Sequence, residues 1–309
     1  MEQIHVLVVR GALFVCNHSA GKDSQAMFAM LRALVPAAQL LVVHAVLEEV
    51  EWDGTIEHIQ ATIGDTPLIF AHPAKTFFQM VERRGMFPSP KNRQCTSDLK
   101  RGPIEREIRR YLKANPQYNG LIVNCMGMRA EESTGRAKLR PFQFDSGNSK
   151  AGREWYEWLP IHHLTMPQVF QAIADAGQQP HWAYAAGMTR LSCCFCIMAS
   201  QTDLATAARL KPDLYQRYAH TERRLGFTLS MSRRTLTEIT GVPLDEGFTP
   251  QAQNQDSRYI VAQNDISLFW EVIDDQADGR IVSTGHRTRA DAELALADQE
   301  AETCDPAVA

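Results

Sequence analysis

The chain has 309 residues, 44% of them apolar and 22% charged, with a formal net charge of −4. That length suits one large domain, or a domain plus an appendage, and the apolar share allows a substantial core. The small acidic balance argues against a global basic field for nucleic acid. It leaves local patches such as Arg83-Arg84, Arg109-Arg110 and Arg233-Arg234, which read as solvated helix faces. No run of about 18 apolar residues is present, so no membrane span is expected. The start lacks a basic leader and cleavage site, so a cytoplasmic protein is expected.

In chain order, short β-type runs alternate with helical periodicity. A strand over 12–16 leads through the turn Ser19-Ala20-Gly21-Lys22-Asp23-Ser24 into a helix over 24–34. Strands over 40–46 and 68–71 follow, with a helix over 55–63 between them and another over 76–84 after them. A helix over 103–113 precedes a strand over 121–125, and a strand over 155–161 precedes a helix over 167–176. That last helix is well punctuated. Thr165 caps it, Pro167 sits in its first turn, Gln168 lies three residues past the cap and Gly177 ends it. This alternation predicts an α/β fold: a parallel twisted sheet with helices on both faces. Helical patterns at 203–210, 213–225 and 234–240 come next, then a polar linker at 251–257. Short strands at 259–262, 268–273 and 280–284 and a helix over 289–300, capped by Thr288, predict a small β-β-α appendage. The expected division is an α/β domain at 1–190, a cysteine cluster with a helical segment at 191–250, and the appendage at 258–303.

The turn at 19–24 points several backbone N–H groups and the positive end of a helix into one small space, which suits phosphate oxygens. Lys22 adds a point charge, and Ser19 and Ser24 add hydroxyl donors. The G-x-x-x-x-G-K-[ST] spacing of the longer P-loop is absent. Gly127 allows close backbone approach, and Arg129 can clamp a phosphate bidentately. Seven cysteines are an odd count, and three fall within four positions, which reads as metal or redox chemistry rather than a disulfide framework. Cys193-x-x-Cys196 has metal-ligand spacing and fits zinc, an iron–sulfur centre or a redox pair, with Cys194 between. Cys16 and Cys125 lie in apolar strands and read as buried core thiols.

Ser-x-Gly-Lys-Asp-Ser resembles the pyrophosphate-binding PP-loop of adenine nucleotide α-hydrolase-like enzymes. Three further segments resemble the phosphoadenosine-phosphosulfate reductase branch of that group. They are Arg93-Gln94-Cys95-Thr96-Ser97-Asp98-Leu99-Lys100-Arg101-Gly102-Pro103, then Gly127-Met128-Arg129-Ala130-Glu131-Glu132-Ser133 with Arg136 behind it, and Arg190-Leu191-Ser192-Cys193-Cys194-Phe195-Cys196. The likeness runs from about residue 12 to about residue 239. Ala20 departs from it, standing where the family usually has a second Gly. If that position needs a positive φ, the alanine costs about 1 kcal/mol.

The resemblance implies that Ser19, Gly21, Lys22, Asp23 and Ser24 hold the pyrophosphate or phosphosulfate end of an adenine nucleotide: ATP, adenylyl sulfate or its 3′-phosphate. Lys22 would neutralise charge, and Asp23 would orient the loop or a Mg²⁺. Ala45 and Val46 would contact adenine. His44 reads as a sheet residue, and Glu48, Glu49 and Glu51 as a solvated acidic turn in preference to metal ligands. Gly127, Arg129, Glu131, Ser133 and Arg136 would complete the phosphate side, with Lys100 and Arg93 facing the same cleft. Lys22, Asp23 and Arg129 are the expected catalytic residues, and Lys22 and Arg129 are expected in one cleft, exposed enough to reach an anion. In the family's iron–sulfur reductases two adjacent cysteines stand at the Cys95 position; here the second is Thr96. With Cys194 as the fourth thiolate, Cys95, Cys193, Cys194 and Cys196 would hold a [4Fe–4S] cluster, with zinc as the alternative.

Two enzyme readings share this site. In the first, Mg-ATP adenylates a substrate oxygen, pyrophosphate leaves into the PP-loop and sulfur replaces the oxygen. The motifs resemble those of ATP-dependent sulfurtransferases and of the DNA phosphorothioation enzyme. A sulfur-donor protein and a nucleic-acid acceptor are the partners this implies. In the second, a sulfonucleotide is reduced to sulfite by a thioredoxin-like reductant. Such reductases carry a tail cysteine in a Glu-Cys-Gly-Leu/Ile-His setting, whereas this chain has Glu302-Thr303-Cys304-Asp305-Pro306. Acidic neighbours raise a thiol pKa, so Cys304 reads as an incidental thiol and the first reading is preferred. A third, a non-catalytic nucleotide-binding regulator with a structural metal, sits poorly with the intact Lys22-Asp23-Ser24.

Overall fold

Strand runs that are apolar on both faces can pair only inside a covered sheet, and here they do. The computed structural model describes residues 2–47, 49–249, 259–263, 270–274 and 280–286. In chain order these hold α1 (Glu2–Val9), β1 (Leu13–Asn17), α2 (Lys22–Leu34), β2 (Leu40–Ala45), α3 (Thr55–Ile63), β3 (Leu68–Ala71) and α4 (Phe77–Arg84). Next come α5 (Gln94–Thr96), α6 (Gly102–Ala114), β4 (Leu121–Cys125), α7 (Thr134–Ala137), β5 (Phe142–Phe144), β6 (Glu154–Trp158) and α8 (Met166–Asp175). Then follow α9 (Trp182–Ala185), α10 (Gln201–Leu210), α11 (Pro212–Leu225) and α12 (Leu236–Thr240).

The six strands lie in the order β3-β2-β1-β4-β6-β5, all parallel except β5, which runs antiparallel to β6 at the edge. Successive strand residues serve opposite layers. Leu13, Val15, Leu41, Val43, Ile122 and Trp155 meet Ile108 and Leu112 of α6 on one face. Phe14, Cys16, Val42, Val123 and Cys125 meet Met27, Leu31, Val169 and Ile173 of α2 and α8 on the other. Cys16 and Cys125 are neighbours across β1 and β4, fully buried as expected.

Two elements lay outside the sequence reading. Helix α1 buries only Ile4 and Leu7, and β5 has three residues, with Phe142 stacked on Tyr156 and its neighbours exposed. The β6 strand stops at Trp158 rather than reaching 161, because Pro160 has no N–H to extend the ladder.

The chain divides into two compact units, Met1–Phe248 and Thr249–Ala309. The second contains β7 (Tyr259–Gln263), β8 (Trp270–Asp274) and β9 (Arg280–His286), a three-stranded antiparallel sheet in that order. The expected helix over 289–300, Thr288 and Cys304 lie outside the described residues. Among those described, no helix is long and apolar enough to cross a membrane.

Candidate active site

The sheet builds outward from β1 in both directions, so the loops leaving β1 and β4 emerge side by side at their carboxyl ends. Such a switch in strand order opens a crevice in α/β sheets. Asn17 ties the two strand ends together, its amide donating to Asn124 Oδ1 at 2.6 Å and to the Cys125 carbonyl at 2.8 Å.

The turn into α2 is fixed from within. The Ser24 hydroxyl donates to the Gly21 carbonyl at 2.8 Å and accepts the Ser19 N–H at 3.2 Å. Ala20 is fully buried at φ +60°, and its N–H donates to His18 Nδ1 at 3.2 Å. The departure from glycine therefore falls where the backbone is left-handed, which costs an alanine about 1 kcal/mol. Gly127 brings the second loop against the first. A Cβ there would lie 3.1 Å from the Asp23 carbonyl and from the Ser24 nitrogen.

The charged residues form one chain. Lys22 Nζ lies 2.8 Å from Asp23 Oδ2, and Asp23 Oδ1 lies 2.6 Å from Arg129 Nε. Arg129 also pairs with Glu131, which in turn accepts the Met166 N–H at 2.8 Å at the start of α8. Burial would lower the Arg129 pKa, but Asp23 and Glu131 outweigh it and hold the guanidinium above its ordinary value. The structure corrects one expectation here: Lys22 and Arg129 are each only 4% exposed. The physical reason is that both cations are already paired with carboxylates, so neither needs water.

Other sequence-marked residues have local roles. Ser133 caps α7 by accepting the Arg136 N–H at 3.1 Å, and Arg136 pairs with Glu132. Ala45 and Val46 are buried at the end of β2, and the Val46 N–H donates to the Ala71 carbonyl at 3.1 Å. His44 does more than fill the sheet. Its Nδ1 meets the His18 carbonyl at 2.9 Å and its Nε2 the Glu51 carboxylate at 3.3 Å. Glu49 is ion-paired with Arg217 at 3.0 Å. Glu49 and Glu51 are thus engaged with cationic or imidazole partners rather than solvated, while Glu48 lies outside the described residues. Arg93 is exposed.

Cys95, Cys193 and Cys196 gather about Lys100. Cys193 first, then Cys196, Glu51 and Cys95 hold its ammonium above the ordinary value against the cost of burial. Burial pushes the Cys193 thiol up to about 11 and raises Cys95, and Lys100 pulls both back. Cys194 is placed differently. Its side chain lies in the apolar core, burial raises its thiol pKa, and its charged neighbours are Lys211 and Asp53. Among the described residues no group of three or more His, Cys, Asp or Glu is arranged to hold a metal ion.

The phosphoadenosine phosphosulfate reductase domain matches residues 14–199, more than half of the chain. The chain belongs to this family. The family span takes in the PP-loop, Arg129 and all four marked cysteines, and ends before α10. A 147-residue stretch is 31% identical to the uncharacterized 37.8 kDa protein in the gpa 5′ region of Escherichia phage 186, covering 48% of this chain and 42% of the phage protein. The match therefore spans less than half of that relative. Among solved structures, the chain is similar to phosphoadenylyl-sulfate reductase from Candida auris in its phosphate complex. Identity is 11% and the TM-score 0.41, over 62% of this chain and 86% of the other. It is also similar to Candida glabrata FMN adenylyltransferase at 13% identity and a TM-score of 0.38, over 59% and 53% of the two chains.

Within this family domain, sequence reasoning missed Tyr184. Its hydroxyl accepts the Lys22 N–H at 3.0 Å, joining the PP-loop to α9, just ahead of the segment that carries the cysteines. Burial pushes that hydroxyl up to about 12, so it is neutral at physiological pH. Tyr218 was also missed. Its buried hydroxyl has no hydrogen-bond partner among the described residues, and its electrostatic neighbours are Cys193, Cys194, Cys196 and Glu49. No motif marks either tyrosine. For Tyr218 the signal was the i, i+3, i+4 spacing of Tyr215, Tyr218 and Ala219 on α11, which places it inward.

Proposed function

We propose that the protein is a PP-loop enzyme that binds Mg-ATP and uses adenylation to drive sulfur transfer. The observation that supports this most is the Lys22–Asp23–Arg129 chain at the helix start beside the β1/β4 crevice. Nucleotide phosphates would replace the carboxylates as partners of Lys22 and Arg129, while the start of α2 would supply backbone donors other than the Lys22 N–H, which Tyr184 holds. Asp23, so released, would hold Mg²⁺. The acceptor oxygen attacks the α-phosphorus, the bond to the β-phosphate oxygen breaks and pyrophosphate leaves; a sulfur nucleophile then displaces AMP.

A thiolate-held centre fits the donor type of the cysteine segment: Cys193, Cys196 and Cys95 are all electrostatic neighbours of Lys100, and the unpartnered Tyr218 hydroxyl neighbours Cys193 and Cys196. Cys95, Cys193 and Cys196 would hold it, as a [4Fe–4S] cluster or, second, as zinc. Cys194 joins them as the fourth ligand only if its side chain leaves the core. Bound there, the group would tie the loop after α9 to the α5 turn and set a fixed charge beside Lys100. A sulfur-donor protein and a nucleic-acid acceptor are the partners this reaction calls for.

The test uses protein purified without oxygen. Pyrophosphate release from Mg-ATP with sulfide and nucleic acid supplied is expected, as is iron in the purified protein. Sulfite released from either sulfonucleotide with a thioredoxin-like reductant, and lost in Cys304→Ser, would favour the reductase reading instead.

A further inference from the structure

At the opposite end of the parallel strands lies a cavity of about 640 Å³. Helix α6 provides one wall. Arg106, Arg109, Arg110 and Lys113 line it at the i, i+3, i+4, i+7 spacing that shares a helix face, while Ile108 and Leu112 anchor the helix to the sheet. The other wall is the pair of turns that lead into β4 and β6. Asn119 and Gly120 in one turn, and Ala151 and Gly152 in the other, all have left-handed backbones. A Cβ on Gly120 would lie 2.6 Å from the Gly152 carbonyl, so the two turns are locked together. Arg153 follows them into the cavity, its Nε buried with no hydrogen-bond partner among the described residues.

The charge here is lopsided. The cavity lining includes five cationic residues and no carboxylate. Glu107, on the same helix, is buried between Arg106 and Arg110, and Glu105 lies 3.7 Å from Arg109. Those two acids leave an excess of about three positive charges in a chain whose net charge is −4. Residues 106 to 113 span about 10 Å along the helix. One strand of a nucleic acid advances about 3.4 Å per phosphate, so the row matches about three consecutive phosphates. A single compact anion would need one cradle, not a row.

We propose that this groove binds the phosphodiester backbone of a nucleic acid, independently of sequence and of the reaction at the other end of the strands. The proposal does not rest on the function proposed above. The test is fluorescence anisotropy of a labelled 20-base-pair DNA duplex with the full chain. Three or four phosphate contacts predict that affinity falls about 40- to 150-fold between 50 and 200 mM salt. The triple variant Arg109→Gln, Lys113→Gln, Arg153→Gln leaves the two arginines on Glu107 in place. It should weaken binding at low salt at least about tenfold and remove most of the salt slope. Lys113→Gln alone, at an exposed position, should lower the slope by about 0.9 without affecting folding. Arg83→Gln, an exposed arginine on α4, should leave binding unchanged. Absent duplex binding at 50 mM salt, or binding equal in the triple variant and the wild type, would overturn the proposal. So would inorganic tripolyphosphate displacing the duplex at the duplex's own dissociation constant, which would assign the groove to a small polyphosphate.

Discussion

Replacing Lys22 by methionine separates the ligand role proposed for the PP-loop from its role in folding. The Lys22 side chain is 5% exposed, and its ammonium pairs with Asp23 at 2.8 Å. Lys22→Ala would remove three buried methylenes, worth about 2.4 kcal/mol at about 0.8 kcal/mol each, and so would mix a packing defect with a charge defect. Lys22→Met keeps most of the stem. Asp23 still has Arg129 at 2.6 Å, so its charge is not left unpaired, and the expected loss of stability is about 1 kcal/mol, or about 2–4 °C in Tm. Nucleotide affinity should fall by about 1.5–3 kcal/mol, the scale of one charge-assisted hydrogen bond, which is about 12- to 160-fold. Calorimetric titration with Mg-ATP and a thermal melt without ligand read the two effects separately. An affinity within twofold of the wild type would refute the phosphate role, and a melting point lowered by more than about 10 °C would show that Lys22 serves the fold instead.

Tyr184→Phe should strip an acceptor from the Lys22 N–H, costing about 1–3 kcal/mol. Faster amide exchange at Lys22 would confirm it, and unchanged exchange would not. Cys196→Ser should abolish bound metal in anaerobically purified protein, whereas Cys194→Ser should keep it, because Cys194 points into the core; equal loss in both would place Cys194 among the ligands. Acid should destabilise the fold between pH 6.5 and 5. Burial lowers His18 to about 3 and His181 to about 4, so in this window the unfolded chain takes up protons that the folded one refuses. Each unit of pH costs about 1.4 kcal/mol per histidine, about 4 kcal/mol for both by pH 5. Urea melts at pH 7.5 and 5.0 measure this. His181→Asn, which keeps an acceptor for the Ala183 N–H, should remove about half of the loss.

The parts of the fold legible in sequence were those whose burial is periodic. Strands β1, β2 and β4 read as unbroken apolar runs because both their faces are covered, and α8 announced itself by Thr165, Pro167 and Gln168, which form the expected capping box. Helix α1 and strand β5 had no such signal. Only two positions of α1 are buried, and β5 has one half-buried residue in three, too few to set a period.

At the site, sequence marked the residues but not their partners. A motif fixes what a loop can offer; it does not show which distant side chain meets it. Lys22 and Tyr184 are 162 residues apart, and Asp23 and Arg129 are 106 apart. Adjacent cysteines 193 and 194 look equivalent in sequence, yet in an irregular loop one side chain turns to Lys100 and the other to the core. The burial of Lys22 and Arg129 follows from the same long-range pairing. Two cations can be withdrawn from water only if opposite charge comes with them, and Asp23 and Glu131 provide it. The charge chain is therefore balanced before any anion arrives. A phosphate gains Lys22 and Arg129 only by displacing carboxylates, so net affinity is the difference between two paired states rather than the full strength of two cations. In the proposed function Mg²⁺ would shift that difference, because it would give the displaced Asp23 a new partner. Nucleotide binding should accordingly be metal-dependent. Titration of ATP in EDTA should show binding weakened by more than tenfold, and equal affinity with and without Mg²⁺ would mean that Asp23 never leaves Arg129.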